Sequence, residues 1–324
     1  MSLLDALAVS PVFFICATFV AGLAVGSFLN VVVYRVPVMM EREWRAQCAQ
    51  YATQAPATAG TATVTAAAAA QPPATDPVDG LPARFNLMVP RSACPKCGAG
   101  ITALQNIPVI SWLLLRGRCA GCGTRISARY PLVELLTGLL SAGVAWRFGF
   151  GWEAAAALLL TWFLIALTFI DADTQLLPDS LTLPLVWLGL LVNLALFPGP
   201  GMVASGLSLP VSLEDGVIGA VAGYLSLWSV FHLFRLLTGK EGMGYGDFKL
   251  FAALGAWLGW RMLLPTILVA AAVGAVTGIA ILVIRGRDRG TPLAFGPYLA
   301  AAGWVMLLCG PSLVEGYLGL YGIR

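Results

Sequence analysis

WEAAAALLLTWFLIALTFIDADTQLLPD, residues 152–179, is an apolar run that stops on an aspartate. Residues 153–170 come close to the roughly 20 apolar residues that a helix needs to cross hydrocarbon, and Asp171 follows with no polar spacer. A second apolar run opens on the same residue type, in GMGYGDFKL at 242–250, where Asp247 precedes Phe248. A carboxylate at the centre of a membrane helix costs about 2.5–3.5 kcal/mol on insertion scales. Two of them, each at the end of an apolar run, predict a shared site. If the two helices pack side by side, the carboxylates can share one proton. One is then charged and acts as a base on water, while the other stays protonated and polarises a carbonyl, because like charges a few ångströms apart cannot both ionise. That is the chemistry of aspartic peptide hydrolysis.

Outward from this pair, composition sets the class. Hydrophobic residues make up 59% of the 324 positions and charged residues 11%, with a mean hydropathy of +0.84. A soluble domain with a polar surface does not reach these values, so the expected fold is an all-α polytopic membrane protein surrounded by lipid. The net charge of +3 points to no nucleic-acid partner. Eight apolar segments are expected as transmembrane helices, near 11–34, 131–148, 153–170, 180–197, 216–237, 248–260, 262–284 and 293–313. The sixth is short for a full span. The first has no basic region before it and no small-residue cleavage site after it, and is expected to stay as an anchor. Gly22 with Gly26, Gly219 with Gly223, and Gly274 with Gly278 place small residues one turn apart, which lets helices pack closely.

Sixteen of the 19 Lys and Arg residues fall on one side of this topology, ten of them between 35 and 130. The positive-inside rule then puts that loop, Asp171 and Asp247 at the cytoplasmic face of the membrane, with both termini facing outward. Residues 49–83, rich in Ala, Thr and Pro, have too few large apolar side chains to fold and are expected as a disordered linker. Residues 84–130 carry CPKC at Cys94–Cys97 and CAGC at Cys119–Cys122. Two C-x2-C knuckles, each followed by glycine, offer four thiolates to a tetrahedral Zn²⁺. Two disulfides are the competing reading, and they rarely persist in a reducing cytoplasm. Cys16 and Cys309 lie within spans, and Cys48 borders the linker.

Seven ordered stretches carry a resemblance: GSFLNVVVYRVP (26–37), SACPKCG (92–98), NIPVISWLLLRGRC (106–119), RYPLVELLTG (129–138), IDADTQLLPD (170–179), KEGMGYGDFKL (240–250) and FGPYLA (295–300). Together they resemble the bifunctional type IV prepilin peptidases. The resemblance implies cleavage of the basic leader of type IV prepilins and type II secretion pseudopilins after a glycine. Methylation of the new N-terminus with S-adenosylmethionine would follow. It implies Asp171 and Asp247 as catalytic residues, with Asp173 and Asp179 in supporting positions. Those two would orient the pair or attract a basic leader, and Asp179 after Pro178 has a plain alternative as a helix cap. Gly244 and Gly246 would leave the backbone open to an extended substrate, and Lys249 reads as an interfacial anchor. Candidates for the methyl-donor site are Asn30, Arg35, Gly117 and Glu134. Each also has a structural alternative: an interhelical hydrogen bond for Asn30, topology for Arg35, an arginine partner for Glu134.

The implied organisation is an anchor over 1–34, a cytoplasmic loop over 35–130 that holds the linker and the zinc lobe, and a peptidase bundle over 131–324. An intramembrane protease of the presenilin type shares only the G-x-G-D aspartate. A transporter or channel with a zinc docking lobe is the non-enzymatic alternative, and alternating access would favour internal inverted repeats, which the sequence lacks. A single histidine, His232, argues against a Ser-His-Asp triad.

Overall fold

A computed structural model describes residues 3–54, 82, 84–102, 104–196, 209–240, 242–285 and 294–320. Helix α1 (Leu3–Val9) leads into α2 (Pro11–Gln54), and the short α3 (Ile110–Leu114) belongs to the cysteine lobe. There follow α4 (Arg129–Phe148), α5 (Trp152–Thr174), α6 (Asp179–Leu196), α7 (Leu213–Thr238), α8 (Tyr245–Leu258), α9 (Leu263–Arg285) and α10 (Gly296–Leu320). No β-strand occurs among the described residues.

Each of the eight expected segments falls on a helix, and among the described residues six helical stretches are long and apolar enough to cross a membrane: those of α2, α5, α6, α7, α9 and α10. The other two differ for separate reasons. Helix α4 has 20 residues but includes Arg129, Glu134 and Arg147. Helix α8 has 14 residues, so it spans about 21 Å against about 30 Å of hydrocarbon. Its surroundings explain the length. Every residue from Leu250 to Leu258 is buried, because α6, α7, α9 and α10 all pack on it. A helix wrapped by other helices meets no lipid and need not match the bilayer.

The first span does not stop at residue 34, since α2 continues through Pro37 to Gln54. Residues 49–54 are therefore helix and not linker. The rest of the expected linker, 55–81 and 83, lies outside the described residues.

Two of the three glycine pairs bring helices into backbone contact. A Cβ on Gly22 would lie 2.6 Å from Ser141 Oγ and one on Gly26 2.7 Å from Glu134 Cα, which seats α2 on α4. A Cβ on Gly219 would lie 2.3 Å from the Gly255 carbonyl oxygen, and one on Gly255 2.1 Å from that of Gly219, which seats α7 on α8. Gly274 is different, because its Cβ would meet Tyr298 Cδ2 at an ordinary 3.4 Å. Buried polar side chains add directional links. Asn193 donates to the Ala256 carbonyl at 2.8 Å and accepts the Val211 amide at 3.1 Å, and Trp257 Nε1 donates to the Leu185 carbonyl at 2.8 Å. Gly255→Val is expected to force α7 from α8, a loss at or above the upper end of about 1–3 kcal/mol for overpacking. A melting temperature in detergent equal to the parent's would disprove the close crossing.

Candidate active site

Asp171 lies in the last turn of α5, which Gln175 closes in the left-handed region at φ 55° by returning its amide to the Asp171 carbonyl. Asp247 is the third residue of α8, after the N-cap Gly244. The helices bring both carboxylates to one place. Asp171 faces the backbone amide of Gly296 at the start of α10. Asp247 faces the amide of its own N-cap, Gly244, and feels the charge of Asp171 directly. They are only 5% and 7% exposed.

One oxygen of each carboxylate, Asp171 Oδ2 and Asp247 Oδ1, is buried and has no hydrogen-bond partner among the described residues. Buried polar atoms are nearly always satisfied, so an orphaned acceptor on each of two neighbouring carboxylates sets this place apart. Gly296 carries no role in the sequence reading. A Cβ there would lie 2.5 Å from Asp171 Oδ2, so only glycine lets α10 begin against the carboxylate. The available signal was the Gly-Pro pair in FGPYLA.

Asp173 and Asp179 are each paired with a cation. The Arg129 guanidinium binds Asp173 and lies 5.5 Å from the centroid of the Phe169 ring, tying α4 to α5. Lys249 Nζ lies 2.6 Å from Asp179 Oδ1, tying α8 to α6. Lys249 is thus a cross-link, not merely an interfacial anchor. Exposed pairs contribute little stability; their effect is to hold helix ends two residues away from Asp171 and Asp247. The glycines of G-Y-G-D also differ from each other. A Cβ on Gly244 would meet only Asp247 Oδ2 at 3.9 Å and the Gly246 amide at 4.0 Å, so that face is open as expected. A Cβ on Gly246 would lie 2.6 Å from Leu177 Cβ, so its face is covered.

The four cysteines converge. Their sulfurs all lie within 4.8 Å of one another, with Cys94 Sγ 3.8 Å from Cys122 Sγ and Cys97 Sγ 4.0 Å from Cys119 Sγ. These separations exclude disulfides, whose sulfurs are about 2.05 Å apart. They fit the edge of a tetrahedron with zinc–sulfur bonds of about 2.3 Å, roughly 3.8 Å. The knuckles repeat each other. Gly98 at φ 70° and Gly123 at φ 68° return their amides to the carbonyls of Cys94 and Cys119, both at 2.9 Å. The Thr124 hydroxyl and then its amide lower the Cys122 thiol to about 6.

Of the four remaining candidates, Arg35 and Glu134 tie the helices to this lobe, Asn30 ties α2 to α4, and Gly117 lies inside the lobe. Asn30 donates to the Tyr130 carbonyl at 3.1 Å, the interhelical role expected of it. The buried Arg35 clamps the carbonyls of Asn86 and Pro90 at 2.7 and 2.6 Å and lies 5.4 Å from the centroid of the Phe85 ring. Glu134 has no arginine partner among the described residues; its Oε2 accepts the Val109 amide at 2.7 Å. Val109, β-branched at φ 59°, is strained, and the buried carboxylate holds it there. Gly117, at φ 65°, is packed on Trp112, whose Cζ2 would be 2.8 Å from an added Cβ. The contacts of Asn30, Arg35 and Glu134 are made to backbone groups and hold the chain around them.

Comparison with known proteins covers most of the chain. The Bacterial Peptidase A24 N-terminal domain matches residues 20–148, and the Type IV leader peptidase family matches residues 158–279. A Prepilin leader peptidase/N-methyltransferase of Pseudomonas aeruginosa is 50% identical over 324 residues, covering 100% of both chains. Proteins of the same name from Stutzerimonas stutzeri and Aeromonas hydrophila are 51% and 53% identical, covering 98% and 95% of each chain. No solved structure matches.

Proposed function

The chain belongs to the type IV leader peptidase family, and on that premise we propose that it is a prepilin leader peptidase and N-methyltransferase whose hydrolytic centre is Asp171 with Asp247. The observation that carries the assignment is the pair of buried, unpartnered oxygens, Asp171 Oδ2 and Asp247 Oδ1. One carboxylate takes a proton from water as the water oxygen attacks the scissile carbonyl carbon. The other, protonated, donates to the carbonyl oxygen. The tetrahedral adduct then collapses, and the proton held by the first carboxylate passes to the leaving amine. The open face of Gly244 is where an extended backbone reaches the pair. Asp173 and Asp179, through Arg129 and Lys249, position the helix ends that carry it. The transporter reading has no support from the relatives.

The charge bias supports a cytoplasmic location for the pair and the lobe in the inner membrane, where the basic leaders of prepilins and of type II secretion pseudopilins are presented. Zinc, held by Cys94, Cys97, Cys119 and Cys122, has a closed shell of four thiolates and stabilises the lobe without joining the chemistry. S-adenosylmethionine is the methyl donor. We place it near Asn30, Arg35, Gly117 and Glu134, which order the lobe and the helix ends beside it. Radiolabelled prepilin incubated with membranes containing the protein is expected to lose its leader and gain a methyl group. An inserted protein that does neither overturns the proposal. Gly296→Ala pushes a methyl into Asp171, and a displacement of about 1 Å at a reacting group costs about 100-fold. Leader cleavage is expected to fall by that factor, with methylation of a cleaved peptide retained; an unchanged cleavage rate would remove α10 from the site.

A further inference from the structure

Leu177 lies across the flank of the aspartate pair. It sits on the segment joining α5 to α6, after the left-handed Gln175 and before Pro178, whose carbonyl accepts the amides of Leu181 and Thr182 at 3.0 Å. Both ends of the segment are therefore held. The Leu177 Cβ is 2.6 Å from the point where Gly246 would carry its own Cβ, and its Cδ1 is 3.3 Å from the corresponding point on Gly296. Gly246 directly precedes Asp247, and the point on Gly296 is also 2.5 Å from Asp171 Oδ2. One leucine side chain thus reaches from beside one aspartate to beside the other. It packs against the central core, whereas its neighbour Leu176 is 51% exposed.

A peptide seated on this pair has to bring its scissile carbonyl to the two unpartnered oxygens. The residue that owns that carbonyl then lies beside Leu177, whose side chain fills the space that Gly246 and Gly296 leave on that flank of the pair. We infer that Leu177 is the wall that excludes a side chain from this substrate residue, so that the enzyme selects glycine there. The inference rests on the peptidase reading above. A leucine suits the task because its volume is fixed and it has no polar atom to compete for the orphaned oxygens. Leu177 touches substrate and moves no proton.

The test compares kcat/KM for prepilins carrying Gly, Ala or Ser immediately before the cleaved bond, using the full-length protein in proteoliposomes. The parent is expected to favour Gly. Leu177→Ala and Leu177→Val are expected to raise the Ala-to-Gly ratio by about tenfold or more, the lower bound for one methylene in a pocket. Leu177→Met, close in volume, keeps the parent's preference, and Leu176→Ala leaves the ratio as it was. A ratio within about threefold of the parent's in both truncated variants, well under the value of a methylene, overturns the inference. So does loss of every substrate in inserted variants, which would make Leu177 a support for the pair and not a gauge of the substrate. If Leu177→Ala does not insert, Leu177→Val decides by the same ratio. A parent that cleaves no prepilin removes the peptidase reading itself, a separate result.

Discussion

Asp171→Asn and Asp247→Asn each reduce leader cleavage below about a hundredth of the parent rate, since positioned acid–base groups contribute about 10²–10⁴-fold. Asparagine keeps the shape of the side chain and can still take the amide that each carboxylate faces, from Gly296 or from Gly244. What it removes is the proton exchange. The variants therefore insert and fold while the chemistry stops, and methylation of a peptide already cleaved continues. Because both carboxylates are 7% exposed or less and one acts on the other, the parent's cleavage rate is expected to be bell-shaped in pH, with two apparent values that belong to the pair. Cleavage by either variant at more than a few per cent of the parent rate would refute the pair as the hydrolytic centre.

Cys97→Ser and Cys122→Ser each empty the lobe of metal. The parent is expected to carry about one zinc per chain, as four soft ligands at tetrahedral spacing require. In such a small lobe metal binding and folding are one event, and the knuckle hydrogen bonds around Gly98 and Gly123 cannot hold it alone. Loss of the lobe frees the segments that Arg35 and Glu134 clamp to α2 and α4, so methylation falls most. The aspartates stand on α5 and α8, outside the lobe, and Arg129 with Asp173 links α4 to α5. Cleavage is expected to fall less. Atomic absorption beside both activities tests this. A metal-free parent with both activities would remove zinc from the account, and equal loss of both activities in inserted variants would remove the division of labour.

Much of the site was legible because its chemistry is local. Asp171 and Asp247 stand out against apolar neighbours, and the knuckle spacing needs no tertiary information. The glycines were harder. Gly244 and Gly246 look alike in G-Y-G-D, yet one is open and the other lies under Leu177, a difference set by a loop some seventy positions earlier in the chain. Lys249 read as an interfacial residue because Asp179 is distant in sequence, and the structural alternative for Glu134 was an arginine partner because no pattern marks a backbone amide as one. The apolar segments placed the helices well. Their ends were misjudged where hydropathy changes but helical hydrogen bonding does not, as in α2 beyond residue 34.

The sequence by itself determined the membrane class, the positions of the apolar helices, the four-thiolate lobe and the two aspartates, because each follows from solvation or ligand chemistry that acts on residues close in the chain. Only the tertiary structure decided that α8 is wrapped by other helices and need not span the bilayer, that the Gly296 amide faces Asp171, and that Leu177 stands between Gly246 and Gly296. Those outcomes depend on which helices touch. That is fixed by close packing at glycine crossings such as Gly219 with Gly255, where tenths of an ångström matter and hydropathy carries no information.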